Sequence, residues 1–166
     1  MRALRIALVA VALAAGLTLA IAASMPTERK VLLMTSATSP ALVTSGYGAG
    51  GPWVSLAGAR TAVVALECTN GGGDAGSSMT GCNFEVQVSR DGTNVAATVR
   101  GAQSSDATAT LKSIFPVTVS AGSTTRDGIE TDAIRDWPYV RVVAQAVGAN
   151  AGSGDVAAAY VESQQP

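Results

Sequence analysis

The chain contains no histidine, and this absence removes the commonest general base and the commonest metal ligand of proteins. Charged residues are also few, at 14% of the 166 residues against the usual quarter. The eleven basic residues are balanced by twelve acidic ones and are scattered, so no basic stripe is available to hold nucleic acid. The composition predicts a protein that packs beside other proteins and does not bind nucleic acid.

The scarcity of lysine disfavours a nucleophilic enzyme. Without histidine, a serine or threonine nucleophile would need a lysine partner. The lysines are Lys30 and Lys112, and neither lies in a serine motif beyond the pair Lys112-Ser113. The cluster Gly71–Gly73 lacks the Lys-Ser or Lys-Thr that follows a phosphate-binding loop, so it predicts a surface loop. We expect no enzymatic activity and no cofactor.

The clearest pattern that is present runs from Cys82 to Asn94. Apolar residues at every second position from Cys82 to Val88 alternate with polar ones, which indicates a strand with one face in a core and the other in water. Asp91-Gly92 then predicts a tight hairpin turn, because such turns require positive φ angles. We expect this strand to pair with residues 94–100.

Other apolar or alternating stretches follow at regular spacing and predict further strands, at 53–56, 60–68, 115–119, 139–147 and 155–162. The apolar centre of 60–68 predicts a strand covered on both faces, whereas 122–136 is predicted to be a polar connection with a short strand at 129–131. The predicted fold is therefore all-β, an antiparallel, jelly-roll-like β-sandwich of seven or eight strands over residues 53–162. Residues 25–52 are predicted to form an extended arm and residues 163–166 a loose tail.

The first 24 residues form a separate hydrophobic leader, which is helical if ordered. Arg2 and Arg5 precede the uncharged run Ile6–Ala23, and its end offers the small-residue patterns Ala20-Ile21-Ala22 and Ala22-Ala23-Ser24, as in a signal peptide cleaved near residue 23 or 25. The run is also just long enough for a membrane anchor, so residues 6–23 are the only predicted membrane contact. Because Met25 resembles a translation start, a mis-extended N-terminus is a third interpretation.

The two cysteines, Cys68 and Cys82, lie at predicted strand ends on either side of the glycine-rich loop 69–81. A disulfide between them would close the base of this loop and contribute roughly 3 kcal/mol to stability. Two separate buried thiols are the alternative. The spacing excludes a CxxC metal or redox site.

Two residue clusters suggest ligand sites, each with a simpler alternative. Four carboxylates lie within ten residues and could supply calcium with oxygen ligands, but the run lacks the EF-hand order of ligands and Arg126 and Arg135 offset its charge, so a solvated loop is the favoured interpretation. They are Asp127, Glu130, Asp132 and Asp136. Trp137 and Tyr139 could form a sugar-stacking pair, or they could close the end of the sandwich next to Pro138.

The stretches VQVSRDGTN, at 86–94, and YVRVVAQAVGANAGSGDVAAAYV, at 139–161, resemble small β-sandwich structural proteins of tailed bacteriophages. The sequence MPTERKVLLMTSATSPALVTSGYGAGG from Met25 is similar to the extended starts of such proteins. The resemblance implies a virion component, in capsid decoration, the neck or the tail. It also implies contacts with other virion proteins (capsid or tail subunits) and assembly as a homo-oligomer.

The same Ser-x-Asp-Gly and Tyr-Val-Arg-Val motifs also resemble discoidin-like, galactose-binding jelly rolls. Combined with a signal peptide, this resemblance implies a secreted, periplasmic or surface-exposed carbohydrate-binding module. Trp137 and Tyr139 would then contact the sugar.

Overall fold

The computed structural model describes residues 27–35, 42–48, 51–56, 61–72, 78–130, 134 and 136–165. The hydrophobic leader 1–24 lies outside these ranges. The described residues form ten strands: β1 (Thr27–Thr35), β2 (Val54–Ser55), β3 (Thr61–Thr69), β4 (Met79–Ser89), β5 (Ala97–Thr98), β6 (Ala102–Gln103), β7 (Phe115–Thr118), β8 (Thr124–Glu130), β9 (Tyr139–Gly148) and β10 (Val156–Gln165). The described residues contain no helix that is long and apolar enough to cross a membrane.

The strands form two antiparallel sheets that pack face to face, so the prediction of an all-β sandwich is confirmed. Sheet A has the strand order β1-β10-β3-β8-β6. Sheet B has the order β2-β9-β4-β5, and β7 pairs with β4 beside β5. The number of strands exceeds the expected seven or eight because β1 lies in the predicted arm and the two-residue strand β6 was not predicted.

The core between the sheets is built from the inward positions of each strand. Phe84, Phe115 and Leu66 are fully buried there, together with many valines and alanines. Cys68 on β3 and Cys82 on β4 are also fully buried, and they form a disulfide with a Cα–Cα distance of 5.9 Å. The predicted disulfide is thus present, and it joins sheet A to sheet B through the core.

β3 is a central strand, as predicted, but the expectation that both of its faces are covered is wrong. Val64, Leu66 and Cys68 face the core, whereas Val63 is 40% exposed and Ala65 is only half-buried. Inward and outward residues do alternate along β3, but the sequence does not reveal this because alanine and valine also occupy its outward positions. One face of β3 therefore contributes to the outer surface of sheet A.

The predicted pairing of β4 with residues 94–100 is confirmed by Gln87↔Thr98 and Val88↔Ala97, but the predicted two-residue turn at Asp91-Gly92 is not present. β4 pairs with β5 over only two residue pairs, and its long partner is β9, with a register from Met79↔Gly148 to Ser89↔Tyr139. The connection from β4 to β5 spans several residues, and in it Gly92 adopts a φ of +69° while Asp91 does not adopt a positive φ. Side-chain hydrogen bonds of Asp91, described below, replace the two-residue turn.

Three boundaries differ from the sequence prediction. β8 occupies Thr124–Glu130, inside the predicted polar connection, and its polar side chains are tolerated because Thr124 and Arg126 are exposed. β1 occupies 27–35 of the predicted arm, and β10 continues to Gln165, into the predicted tail. The presence of β1 and the greater length of β10 have one cause, because the two strands pair with each other from Thr27↔Gln165 to Thr35↔Ala158.

Candidate interaction surface

The outer face of sheet B carries polar side chains because β4 and β9 alternate. Glu85 and Gln87 on β4 and Arg141 and Gln145 on β9 point away from the core and are half-buried. In cross-strand register Gln87 lies opposite Arg141 on one side and Thr98 on the other. These positions form a row of polar side chains across the sheet.

Residues 42–48 and 51–56 lie along the edge of β9 and add aromatic side chains to this face. Backbone amides of Gly48 and Gly51 donate to the carbonyls of Ala144 and Val142, each at 3.1 Å, and β2 then pairs through Val54↔Val140. This path places Trp53 next to the β9 position of Arg141. These residues therefore both cover the edge of β9 and position two aromatic rings, those of Tyr47 and Trp53.

Trp53 and Arg141 form a stacked pair. The Arg141 guanidinium carbon lies 4.6 Å from the centroid of the indole ring, within the range of a cation–π interaction. The Arg141 Nε donates to Gln87 Oε1 at 2.8 Å, and the Trp53 Nε1 donates to the carbonyl of Thr93 at 3.3 Å. Both side chains are thus held in one orientation before any partner arrives.

Glu85 continues the network. Its Oε1 accepts hydrogen bonds from Gln87 Nε2 and from Thr98 Oγ1, both at 2.9 Å. Burial raises the pKa of the Tyr47 phenol, and the charge of Glu85 adds to this rise, so the phenol stays protonated as a hydrogen-bond donor. We call the six residues of this network the Trp53 face: Tyr47, Trp53, Glu85, Gln87, Thr98 and Arg141.

The Trp53 face has the composition of a protein-binding surface. Tryptophan, tyrosine and arginine are the residue types most enriched where proteins bind each other most tightly. The chain has only two tryptophans and three tyrosines, and this face holds Trp53 and Tyr47, with Tyr139 one row further along β9. Such clustering in an aromatic-poor chain marks this surface as the candidate functional site.

The predicted sugar-stacking pair is not arranged as one open platform. Trp137 is partly buried against the core, and the Arg90 guanidinium carbon lies 5.2 Å from its ring centroid. Tyr139 lies on the outer face of sheet B, beside Gly92, whose lack of a side chain leaves room for the phenol ring. The role of the two residues in sugar binding stays a prediction, which this packing does not favour.

The structure shows different surroundings for the predicted calcium ligands that it describes. The Asp127 carboxylate accepts hydrogen bonds from Gln103 Nε2 at 2.8 Å, from the Gly128 amide at 2.7 Å, and from the amide and hydroxyl of Ser105. It thereby links β8 to the connection that follows β6. Asp136 is exposed, whereas Asp132 and the side chain of Glu130 lie outside the described residues. Within the described ranges, no three acidic, histidine or cysteine side chains converge as metal ligands.

The base of the glycine-rich loop is fixed by a polar cluster beyond the disulfide. The buried Asn70 donates from Nδ2 to the Met79 carbonyl at 2.7 Å. The buried Asp155 accepts from the Gly71 amide at 3.0 Å and from the Gly152 amide at 2.8 Å. These bonds satisfy the backbone where the sheets end, so the cluster has a structural role.

Sequence reasoning did not identify the Trp53 face. Its members come from four separate stretches, and the pair Gln87–Arg141 alone spans 54 positions. The usable signal was the concentration of aromatics beside glycines in the stretch YGAGGPW, at 47–53. No protein-family model matches the chain, and comparison with curated protein sequences gives no match, so the surface itself carries the functional argument.

Proposed function

We propose that this chain is a non-enzymatic structural protein of a bacteriophage virion, in capsid decoration, the neck or the tail, and that it binds other virion proteins through the Trp53 face. The observation that carries the proposal is the preorganised Trp53–Arg141 pair on the outer face of sheet B. The sequence resemblance to phage structural proteins is the reason for proposing that these contacts are made in a virion.

Preorganisation is what makes this face suited to protein contacts. Ordering a long side chain at an interface costs about 0.5–1.5 kcal/mol, and Arg141 is already ordered by Trp53 and Gln87. Arg141 is only half-buried, and its guanidinium has further donors that suit a partner's carboxylate or carbonyl groups. An outward-facing sheet surface of this kind suits repeated contacts in a symmetric particle.

The carbohydrate-binding alternative has less support. A sugar-binding site needs an aromatic ring with an open face. The Trp137 ring packs on the core and lies beneath Arg90, and the Trp53 ring lies against Arg141. We therefore propose protein contacts and do not propose a sugar site.

The proposal is tested by asking whether the chain travels with particles. Phage particles are banded in a density gradient and digested with trypsin, and the peptide 91–100 is quantified by mass spectrometry. We expect this peptide to band with the major capsid protein at a constant ratio across the peak. Its absence from the particles, together with a monomeric mass for the purified chain in light scattering, would overturn the proposal.

A further inference from the structure

β1 is an added strand at the edge of sheet A. It is the first strand of the chain, and within the described residues its only strand partner is β10, the last one. The pairing extends from Thr27↔Gln165 to Thr35↔Ala158. Because every described pair of β1 is with β10, removal of β1 would leave the other described strand pairings of both sheets intact.

The place that β1 occupies must nevertheless be filled. Leu33 is fully buried and belongs to the core, and Val31 packs against the core from the same strand. Without β1, apolar side chains such as Val161, now 1% exposed, would meet water, and one edge of β10 would lose its hydrogen bonds. Every folded copy therefore needs a β1 segment, its own or that of another copy.

The chain length after β1 permits both arrangements. Seven Cα–Cα steps separate Thr35 from Leu42, and an extended chain of this length reaches roughly 25 Å. The strand can therefore reach a second copy whose β10 edge lies within that distance of Leu42. The contacts of β1 with β10 are identical in both arrangements, so exchange adds little energetic cost once two copies are held together.

We propose that β1 is exchanged between copies in the assembled protein, so that residues 27–35 of one copy complete sheet A of a second copy. The partner that this surface fits is thus another molecule of the same chain. The inference deepens the proposed function and rests on it for the assembled state. Leu33 of one copy then fills the core of the next.

Disulfide trapping with the full-length chain tests the exchange. Lys30 lies opposite Glu162 in the register, and directly opposed residues of antiparallel strands have Cα atoms about 4.5–5.5 Å apart, which suits a disulfide. Two differently tagged variants, Lys30→Cys and Glu162→Cys, are co-expressed, allowed to assemble and oxidised. The buried native disulfide Cys68–Cys82 is retained in both.

Exchange predicts a disulfide-linked dimer that contains both tags as the main product on a non-reducing gel. The matched control pairs Arg29→Cys with Glu162→Cys, which is one residue out of register, and should give little of this dimer. The double variant Lys30→Cys/Glu162→Cys tests the alternative, in which each chain keeps its own β1. If it forms an internal link at the mass of one chain while the co-expressed single variants stay unlinked, exchange does not occur. That outcome would leave the co-banding of the chain with particles unaffected, so the two proposals fail separately.

Discussion

Asp91 is the residue that determines the shape of the connection after β4. Its Oδ1 accepts hydrogen bonds from the Ser89 hydroxyl and the Thr93 amide, both at 2.8 Å, and from the Asn94 amide at 2.9 Å. Its Oδ2 accepts from Asn94 Nδ2 at 2.9 Å. The bonds from the backbone and side chain of Asn94, followed by those from Thr93 and Ser89, hold the pKa of Asp91 well below its usual range.

This depressed pKa makes a pH-dependent prediction. A carboxylate whose pKa is lower in the folded than in the unfolded state stabilises the fold above the unfolded value of about 3.9, and the stabilisation is lost as pH falls toward the folded value. We expect Asp91→Ala to lower the melting temperature at pH 7 and to reduce the further loss between pH 4 and lower pH. Thermal denaturation from pH 7 to pH 2 checks this. An unchanged pH profile in the variant would show that Asp91 does not contribute to it.

At the scale of elements, the sequence predicted strands where apolar residues alternate and failed where other interactions decide. β4 and β9 were predicted because their inward positions are apolar and most of their outward positions are polar. Most of β8 was predicted as a polar connection, with a strand only at 129–131, because much of its polarity is satisfied by tertiary contacts, such as the ion pair of Arg126 Nε with Glu67 Oε2 at 2.5 Å. The extent of β1 could not be predicted, because its partner β10 lies at the other end of the chain.

The contribution of β1 to the core can be measured with one substitution. Leu33→Ala removes a fully buried side chain and should lower the free energy of unfolding by about 2–5 kcal/mol. Val63→Ala on the outer face of β3 is the matched control, since Val63 is 40% exposed, and should cost below about 1 kcal/mol. Urea denaturation compares the two. Equal losses would mean that β1 is not integrated into the core.

The disulfide between β3 and β4 gives a second prediction at this scale. Cys68 and Cys82 are 14 positions apart, and closing a loop of this size stabilises a fold by about 3 kcal/mol. The double variant Cys68→Ala/Cys82→Ala should show that loss in urea denaturation. Because both cysteines are fully buried, reductant should act on the wild-type protein only when denaturant is present. Rapid reduction of the native protein, followed with a thiol reagent, would contradict this burial.

At the scale of the whole molecule, the two outer faces of the sandwich differ in chemistry. The outer face of sheet B carries the aromatic and arginine network of the Trp53 face, whereas sheet A exposes Val63, the Glu67–Arg126 ion pair and Glu162. Periodicity in the sequence predicted that such outward faces exist. It could not predict which face gathers the aromatics, because that depends on how residues 42–48 and 51–56 lie along β9.

The central proposal is that the Trp53 face binds the protein to other virion proteins, and matched arginine substitutions test it most directly. Arg141→Gln removes a charge from this face, and Arg126→Gln removes one from the exposed outer face of sheet A. Loss of a central interface arginine typically costs about 2 kcal/mol or more, which is roughly a thirtyfold weaker affinity.

The measurement is the amount of each variant in gradient-banded particles, relative to the major capsid protein, with melting curves to verify folding. We expect Arg141→Gln to be strongly depleted from particles and Arg126→Gln to be incorporated like the wild-type chain. Equal incorporation of the two folded variants would contradict the account.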